Sequence, residues 1–254
     1  MRSSLLRLAL SLSAVVAWGT FASLSPAADP PTCLGKRATI VAGGSVRGTA
    51  HADVIVTGAG ADRIAGRGGN DRICSGGGGD RVEGGVGSDR VETGGGADAV
   101  VGDNGSDTVF GGAGRDSLVG KRGNDRLFGG AGDRDFVDGG LGDDTVAGGA
   151  GSFDQVIGGT GNERLYGGAG DGDLLRPGLG GDTADGGPGS HDAVSYALAG
   201  EWGQLLGGRG VNVDLSIGLA EGDGNDQLRG LEDVIGTPFA DVIAGDASPN
   251  VLYG

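Results

Sequence analysis

"SGGGGDRVEGGVGSDRVETGGGADAVVGDNGSDTVF", residues 75–110, is one nine-residue phrase written four times. In each copy a glycine stands fourth, an aspartate sixth and an aliphatic residue eighth. The register holds without a gap from Thr57 to Ser195, where the chain divides into fifteen units, eleven of nine residues and four of ten. The longer units begin at Gly129, Gly148, Gly167 and Gly186, and each carries its extra residue just before the aspartate. Glu163 stands once in the acidic place and Ala184 once in the aliphatic place. A chain with 61 glycines among 254 residues ordinarily suggests collagen or a disordered tract. Collagen needs glycine at every third position and abundant proline, and this chain has neither. Glycine content alone does not return Asp and Val to one register fifteen times. The period therefore argues for an ordered repeat architecture.

A nine-residue unit of this kind has a simple conformational reading. The stretch "GGxGxD" demands backbone angles that glycine reaches at low cost, which makes it a tight turn. The three residues that follow, such as "RVE" (81–83) or "TVF" (108–110), form a short strand with its middle side chain inward. One turn and one strand are half a coil, so two units close a flattened loop. The expected fold is all-β: a right-handed parallel β-roll or β-helix solenoid, with short coiled or strand caps at both ends. Equivalent residues then stack about 4.8 Å apart. The interior becomes a ladder of Ile64, Ile73, Val82, Val91, Val100, Val109, Leu118 and Leu127, continuing to Val146, Val156 and Leu165. One aliphatic residue per unit is a thin core, so a second kind of bond must join the coils.

The flanks read as follows. Residues 1–27 have Arg2 and Arg7 before "LLRLALSLSAVVAWGTF" and then small residues, which is the pattern of a secretory signal peptide cleaved after Ala27. The other reading, an uncleaved anchor, fits less well with several serines in the run and no basic residues beyond it. Residues 28–56 form an N-terminal cap and a degenerate first repeat, "GTAHADVIV" (48–56). Residues 57–195 are the uninterrupted array. Residues 196–235 are an irregular insertion, in which "AGEWGQLLGGRG" (199–210) reads as a surface loop. Within it, "GVNVDLSIGL" (210–219) alternates like a strand pair and "GDGNDQLRG" (222–230) restarts the repeat. Residues 236–254 are degenerate C-terminal repeats. The expected location is outside the cell. A net charge of −15 repels nucleic acid and anionic membranes, so neither nucleic acid nor stable membrane insertion is expected. That charge favours cations as partners. The sequence specifies no protein or surface partner.

Stacking of alternate units places Asp62 over Asp80 and Asp71 over Asp89. Without a counter-ion that is a column of repelling charges. Two carboxylates and nearby glycine carbonyls in a pliable loop offer a hard-oxygen cage. It suits Ca²⁺, which takes six to eight oxygens, better than Mg²⁺, which demands a strict octahedron. Zinc and copper are poorly served by a chain with two histidines, two cysteines and no cluster of either.

These units resemble the RTX, or haemolysin-type, calcium-binding nonapeptide repeats. The resemblance is strong over residues 48–195 and weaker over 222–254. It implies a chain that is loose without calcium and folds into a β-roll with it. It also implies ions held between turns by the sixth-position carboxylates and neighbouring backbone carbonyls. Carried onto this chain, the ligands are Asp62, Asp71, Asp80, Asp89, Asp98, Asp107, Asp116, Asp125, Asp135, Asp144, Asp154, Glu163, Asp173, Asp182 and Asp192. Glu163 reaches its place with a longer arm. Arg67, Asp103 and Lys121 replace the second glycine, and Pro177 the first. The gaps between stacked turns allow at most about thirteen calcium ions in the main array, which would over-neutralise a net charge of −15, so partial occupancy is expected. The family is often exported through a C-terminal signal, whereas this chain carries an N-terminal one.

Arg63, Arg72, Arg81, Arg90, Arg126 and Arg164 follow their acidic residue on the outer face and read as solvated charge. Cys33 and Cys74 in an exported chain suggest one disulfide, which would pin the N-terminal cap to the first coils; two free thiols are the alternative. No catalytic motif is found: there is no HExxH or GxSxG, and "SHDAVS" (190–195) is too contiguous for a catalytic relay. The favoured reading is a secreted, non-enzymatic calcium-binding module. The alternative is the repeat part of a secreted hydrolase or toxin whose catalytic region lies outside this chain. An ice-binding solenoid is disfavoured, because the outward positions mix Arg, Glu and Phe without a flat threonine row.

Overall fold

Parallel strands can pair only across a crossover, and the nine-residue unit makes that crossover as short as a single half-coil. The computed structural model describes residues 31–197, 210–222 and 224–254. The signal peptide expected over 1–27, and nearly all of the loop expected over 199–210, lie outside the described residues. Successive units alternate between two sheets, one of eleven strands and one of thirteen. In the thirteen-stranded sheet Val109 pairs in register with Leu127, and Leu127 with Val146. The first step spans two nine-residue units. The second includes a ten-residue one, and the register survives because the extra residue is absorbed in the turn. Among the described residues there is no helix, and the result is a β-solenoid of about eleven turns, as the repeat predicts.

The strands are longer than the sequence suggests. The reading above gives three residues to each strand and six to each turn, yet Thr108–Ala113 and Arg126–Ala131 are continuous strands. The first two glycines of each unit stay in the hydrogen-bonded ladder, and the turn shrinks to three residues such as Gly114–Asp116. Backbone pairing explains this, since parallel coils stacked in register satisfy every amide that remains in the ladder. Gly112 shows what the second position requires. It holds φ 109° and a Cβ there would strike the Gly94 carbonyl oxygen of the previous coil. Arg67, Asp103 and Lys121 occupy the same place with φ 83°, 79° and 79°, which side chains seldom adopt. Lys121 Nζ then pairs with Asp103 Oδ1 at 2.6 Å on the surface.

The interior is the expected ladder. Its aliphatic residues from Ile55 to Val194 are all essentially closed to solvent, and the column extends to Val46 at one end and Leu228 and Val234 at the other. Outward positions are more varied. Phe110 and Phe128 stack with ring centroids 5.1 Å apart, and the Arg90 guanidinium lies 5.0 Å above the Phe110 ring. Five of the six outward arginines are exposed; Arg72 is half-buried.

Four consecutive turns on one edge carry the extra residue, and they match one another. Arg134 N–H donates to the Ser152 carbonyl, Phe153 N–H to Asp171 and Gly172 N–H to Ser190, each at 2.9–3.0 Å. Beyond Ser195 the chain leaves the array and returns. Asn212–Asp214 and Leu219–Glu221 pair antiparallel, and Asn225–Arg229 re-enters beside Thr183–Asp185 with Leu228 over Ala184. At the N-terminal end a two-residue hairpin turn at Leu34 and Gly35, both with positive φ, joins Thr32–Cys33 to Lys36–Arg37. A Cys33–Cys74 disulfide bolts this hairpin to the first coils, with 5.7 Å between the Cα atoms. Closing a loop of 41 residues stabilises the chain by roughly 4 kcal/mol in the chain-entropy account.

The ladder makes a direct prediction. Leu127→Ala costs about 2–5 kcal/mol in calcium-saturated urea unfolding. Arg126→Ala, one residue away on the exposed face, stays within about 0.5 kcal/mol. Equal effects from the two would contradict the inward assignment.

Candidate metal centre

The acidic residue of each unit ends the turn and heads the strand, so its side chain swings under the edge of the rod. Every one of the fifteen candidate carboxylates is buried there, Asp62 most accessible at 5 % and Asp154 fully closed. They form two columns. Asp62, Asp80, Asp98, Asp116, Asp135, Asp154, Asp173 and Asp192 line one edge; Asp71, Asp89, Asp107, Asp125, Asp144, Glu163 and Asp182 line the other. Within a column each aspartate Oδ1 after Asp62 accepts the backbone N–H of the acidic residue one coil earlier; Asp62 Oδ1 accepts that of Gly44, and Glu163 accepts none. Asp62 N donates to Asp80 Oδ1 at 2.8 Å, Asp107 N to Asp125 Oδ1 at 2.7 Å, and Asp135 N to Asp154 Oδ1 at 2.9 Å. The same residues accept through their carbonyls, as Asp98 O does from Ser117 N. The like-charged column expected at open turn tips is thus drawn into the rod and partly offset by a chain of amide dipoles.

The second carboxylate oxygen has no such partner. Oδ2 of Asp71, Asp80, Asp89, Asp98, Asp107, Asp116, Asp125, Asp135, Asp144, Asp154, Asp173, Asp182 and Asp192 is buried without a hydrogen bond, as are both carboxylate oxygens of Glu163. In the units that begin with glycine and carry aspartate, these oxygens converge on that first glycine. A Cβ on Gly84 would meet Asp89 Oδ2 at 2.6 Å and the Gly102 carbonyl oxygen of the next coil at 2.9 Å. On Gly148 it would meet Asp154 Oδ2 and the Gly167 carbonyl oxygen, both at 2.7 Å. Oxygen acceptors therefore crowd one spot with no donor among them, and leaving them so is costly unless a cation or proton intervenes. Among the described residues no three His, Cys, Asp or Glu side chains gather into a cluster. The donor set is carboxylate plus main-chain carbonyl, which is hard-oxygen chemistry and not a thiolate or imidazole site.

Burial shows in the acidities. It pushes Asp89, Asp116 and Asp192 up to about 7, against the amide hydrogen bonds that pull them down. It raises Asp107, Asp125, Asp144 and Asp154 to about 6. Glu163 rises to about 9, because burial is joined by Asp182 beside it and by the Asp144 charge.

Sequence reasoning missed the ends of the columns. Asp53 donates its N–H to Asp71 Oδ1 at 2.8 Å, and its own Oδ2 accepts the Thr49 amide and hydroxyl. Asp226 accepts Asp182 N–H at one oxygen and the Tyr196 hydroxyl, at 2.9 Å, at the other. Glu232 Oε2 accepts Asp192 N–H at 3.0 Å. The signal for Asp53 and Asp226 was present in "AD-V-I" and "GDGND", but their place over a distant unit is a property of the fold.

The acidities set a pH dependence for metal-stripped protein. Folded carboxylates keep protons up to about pH 6–7 that an unfolded chain releases near pH 4. The folded state therefore binds more protons in that window, and its stability falls as pH rises through it. Circular dichroism of metal-stripped protein is expected to show more β-structure at pH 4.5 than at pH 8. The opposite order would mean that the carboxylates are not buried as described.

No curated protein matches the chain. The model of the RTX calcium-binding nonapeptide repeat matches residues 47–82, 75–109, 110–133, 133–152, 153–174 and 235–254. These segments cover more than half of the sequence and contain most of the carboxylate columns, and the chain belongs to the RTX calcium-binding nonapeptide repeat family.

Proposed function

We propose that this protein is a secreted calcium-binding module, without an active site of its own, whose coils are joined by Ca²⁺ between stacked turns. One observation carries the reading: a repeated, buried carboxylate oxygen with no hydrogen-bond donor, aimed at a glycine carbonyl of the next coil. The sixth-position carboxylates from Asp62 to Asp192, Glu163 included, would hold the ions together with carbonyls of the first glycines. A bound dication supplies the positive charge that these oxygens lack. The chain contributes the rest. It holds each aspartate by an N–H to Oδ1, keeps water out with the glycine-lined turn, and fixes the distance between coils through the strand ladder. Calcium fits this arrangement better than magnesium because the carbonyl-rich turns are flexible and offer oxygens without strict octahedral geometry. The protein's role outside the cell would then be structural or adhesive, switched on where calcium is abundant.

Titration of the mature protein followed by circular dichroism tests this. Calcium is expected to convert a loosely ordered chain into a β-rich one, and magnesium at the same concentration is not. Asp116→Asn, which keeps the amide acceptor but removes the charge, should move the calcium midpoint several-fold higher. A spectrum that is already β-rich in chelator at neutral pH and unmoved by calcium would falsify the proposal.

A further inference from the structure

The two edges of the rod are not equivalent, and the difference lies at the first position of the unit. Along the edge of Asp71, Asp89 and Asp107 that position is glycine: Gly66, Gly84 and Gly102. Along the other edge the first three units begin with Thr57, Ser75 and Thr93, and glycine takes over only from Gly111 onward. These three side chains form a ladder of their own. Thr57 Oγ1 donates to the Ser75 carbonyl at 2.8 Å, Ser75 Oγ to the Thr93 carbonyl at 3.3 Å, and Thr93 Oγ1 to the Gly111 carbonyl at 2.6 Å. Ser75 and Thr93 are fully buried.

The hydroxyls sit where the glycine units leave their acceptors unmatched. At Gly111 a Cβ would come within 2.5 Å of Asp116 Oδ2 and 2.6 Å of the Gly129 carbonyl oxygen. One coil earlier Thr93 places its side chain in the equivalent space and donates its proton to the equivalent carbonyl, while Asp98 Oδ2 beside it keeps no donor. A carbonyl lone pair engaged by an O–H is withdrawn from metal coordination, and the added methyl and hydroxyl occupy room an ion would need. We infer that Thr57, Ser75 and Thr93 close three successive coil junctions by hydroxyl hydrogen bonds in place of metal, which takes the turns of Asp62, Asp80 and Asp98 out of the ion-holding set proposed above and makes the first position the residue that selects between the two. The Cys33–Cys74 disulfide joins the same coils, one residue before Ser75. The N-terminal coils are thereby cross-linked twice without any ion, and calcium-driven ordering has a preformed end from which to spread.

This inference rests on the calcium reading for its metal count but not for its metal-free half, and the two can fail separately. Bound calcium is counted on the full chain by equilibrium dialysis. The Thr57→Gly/Ser75→Gly/Thr93→Gly protein is expected to bind more ions than the natural chain, up to three. Gly111→Thr is expected to bind one fewer, and Thr93 shows that the backbone accepts threonine in that position. Hydrogen exchange of metal-stripped natural protein is read in parallel. Strands Val54–Val56, Arg72–Cys74 and Arg90–Gly95 should exchange about tenfold more slowly than Thr145–Ala150 and Arg164–Ala169, and the triple variant should lose the difference. Unchanged ion counts in both variants when the natural chain does bind calcium, or uniform exchange along the metal-stripped rod, overturns the inference. A natural chain that binds no calcium but keeps the protected end would sink the proposed function alone.

Discussion

A buried carboxylate oxygen with no donor in reach is among the least tolerable groups in a folded protein. Here one recurs at nearly every half-coil, and much of the chain can be understood as the scaffolding around it. Where glycine holds the first position, the carboxylate oxygen and the next coil's carbonyl press on the space a side chain would take, and Thr57, Ser75 and Thr93 enter it only by hydrogen bonding to that carbonyl. Each aspartate's other oxygen is tethered by an amide, so the coil spacing and the carboxylate spacing are one quantity. A thin aliphatic core suffices only because it does not act alone. Single Val and Leu residues exclude water and set the register, while the polar edges decide whether successive coils stay together.

The fold was legible because the period is rigid. Fifteen returns of an acidic and an apolar residue to fixed places leave one simple way to stack them, and that reading survives in the pairing of Val109 with Leu127. The strand length was not legible. Gly111 and Gly112 look like turn residues by composition, but stacked in parallel they gain ladder hydrogen bonds that an isolated "GGxGxD" lacks. Local propensity lost to pairing between coils.

The columns were legible as columns, and the acidic residues stand where the spacing put them. What they do with each oxygen was not. That Oδ1 takes an amide and Oδ2 takes nothing depends on the offset between coils, which a single unit does not contain. The ends were harder still. Asp226 lies 44 residues from Asp182 in sequence and one coil away in space, a neighbourhood created by the excursion between them. The hydroxyls of Thr57, Ser75 and Thr93 read as ordinary substitutions for glycine until the carbonyls they face are seen.

The ten-residue turns have an implication for how such a chain changes length. All four lie on one edge and each matches its neighbours amide to carbonyl, so a longer turn is comfortable only above or below another longer turn. Duplicating a single unit between two of them would move the later ones to the other edge and seat long turns on short ones. Duplicating a pair leaves every contact as it was. Across the stretch of long turns the rod is therefore quantised in whole circuits: an added pair keeps long turn on long turn, and an added single unit breaks that match.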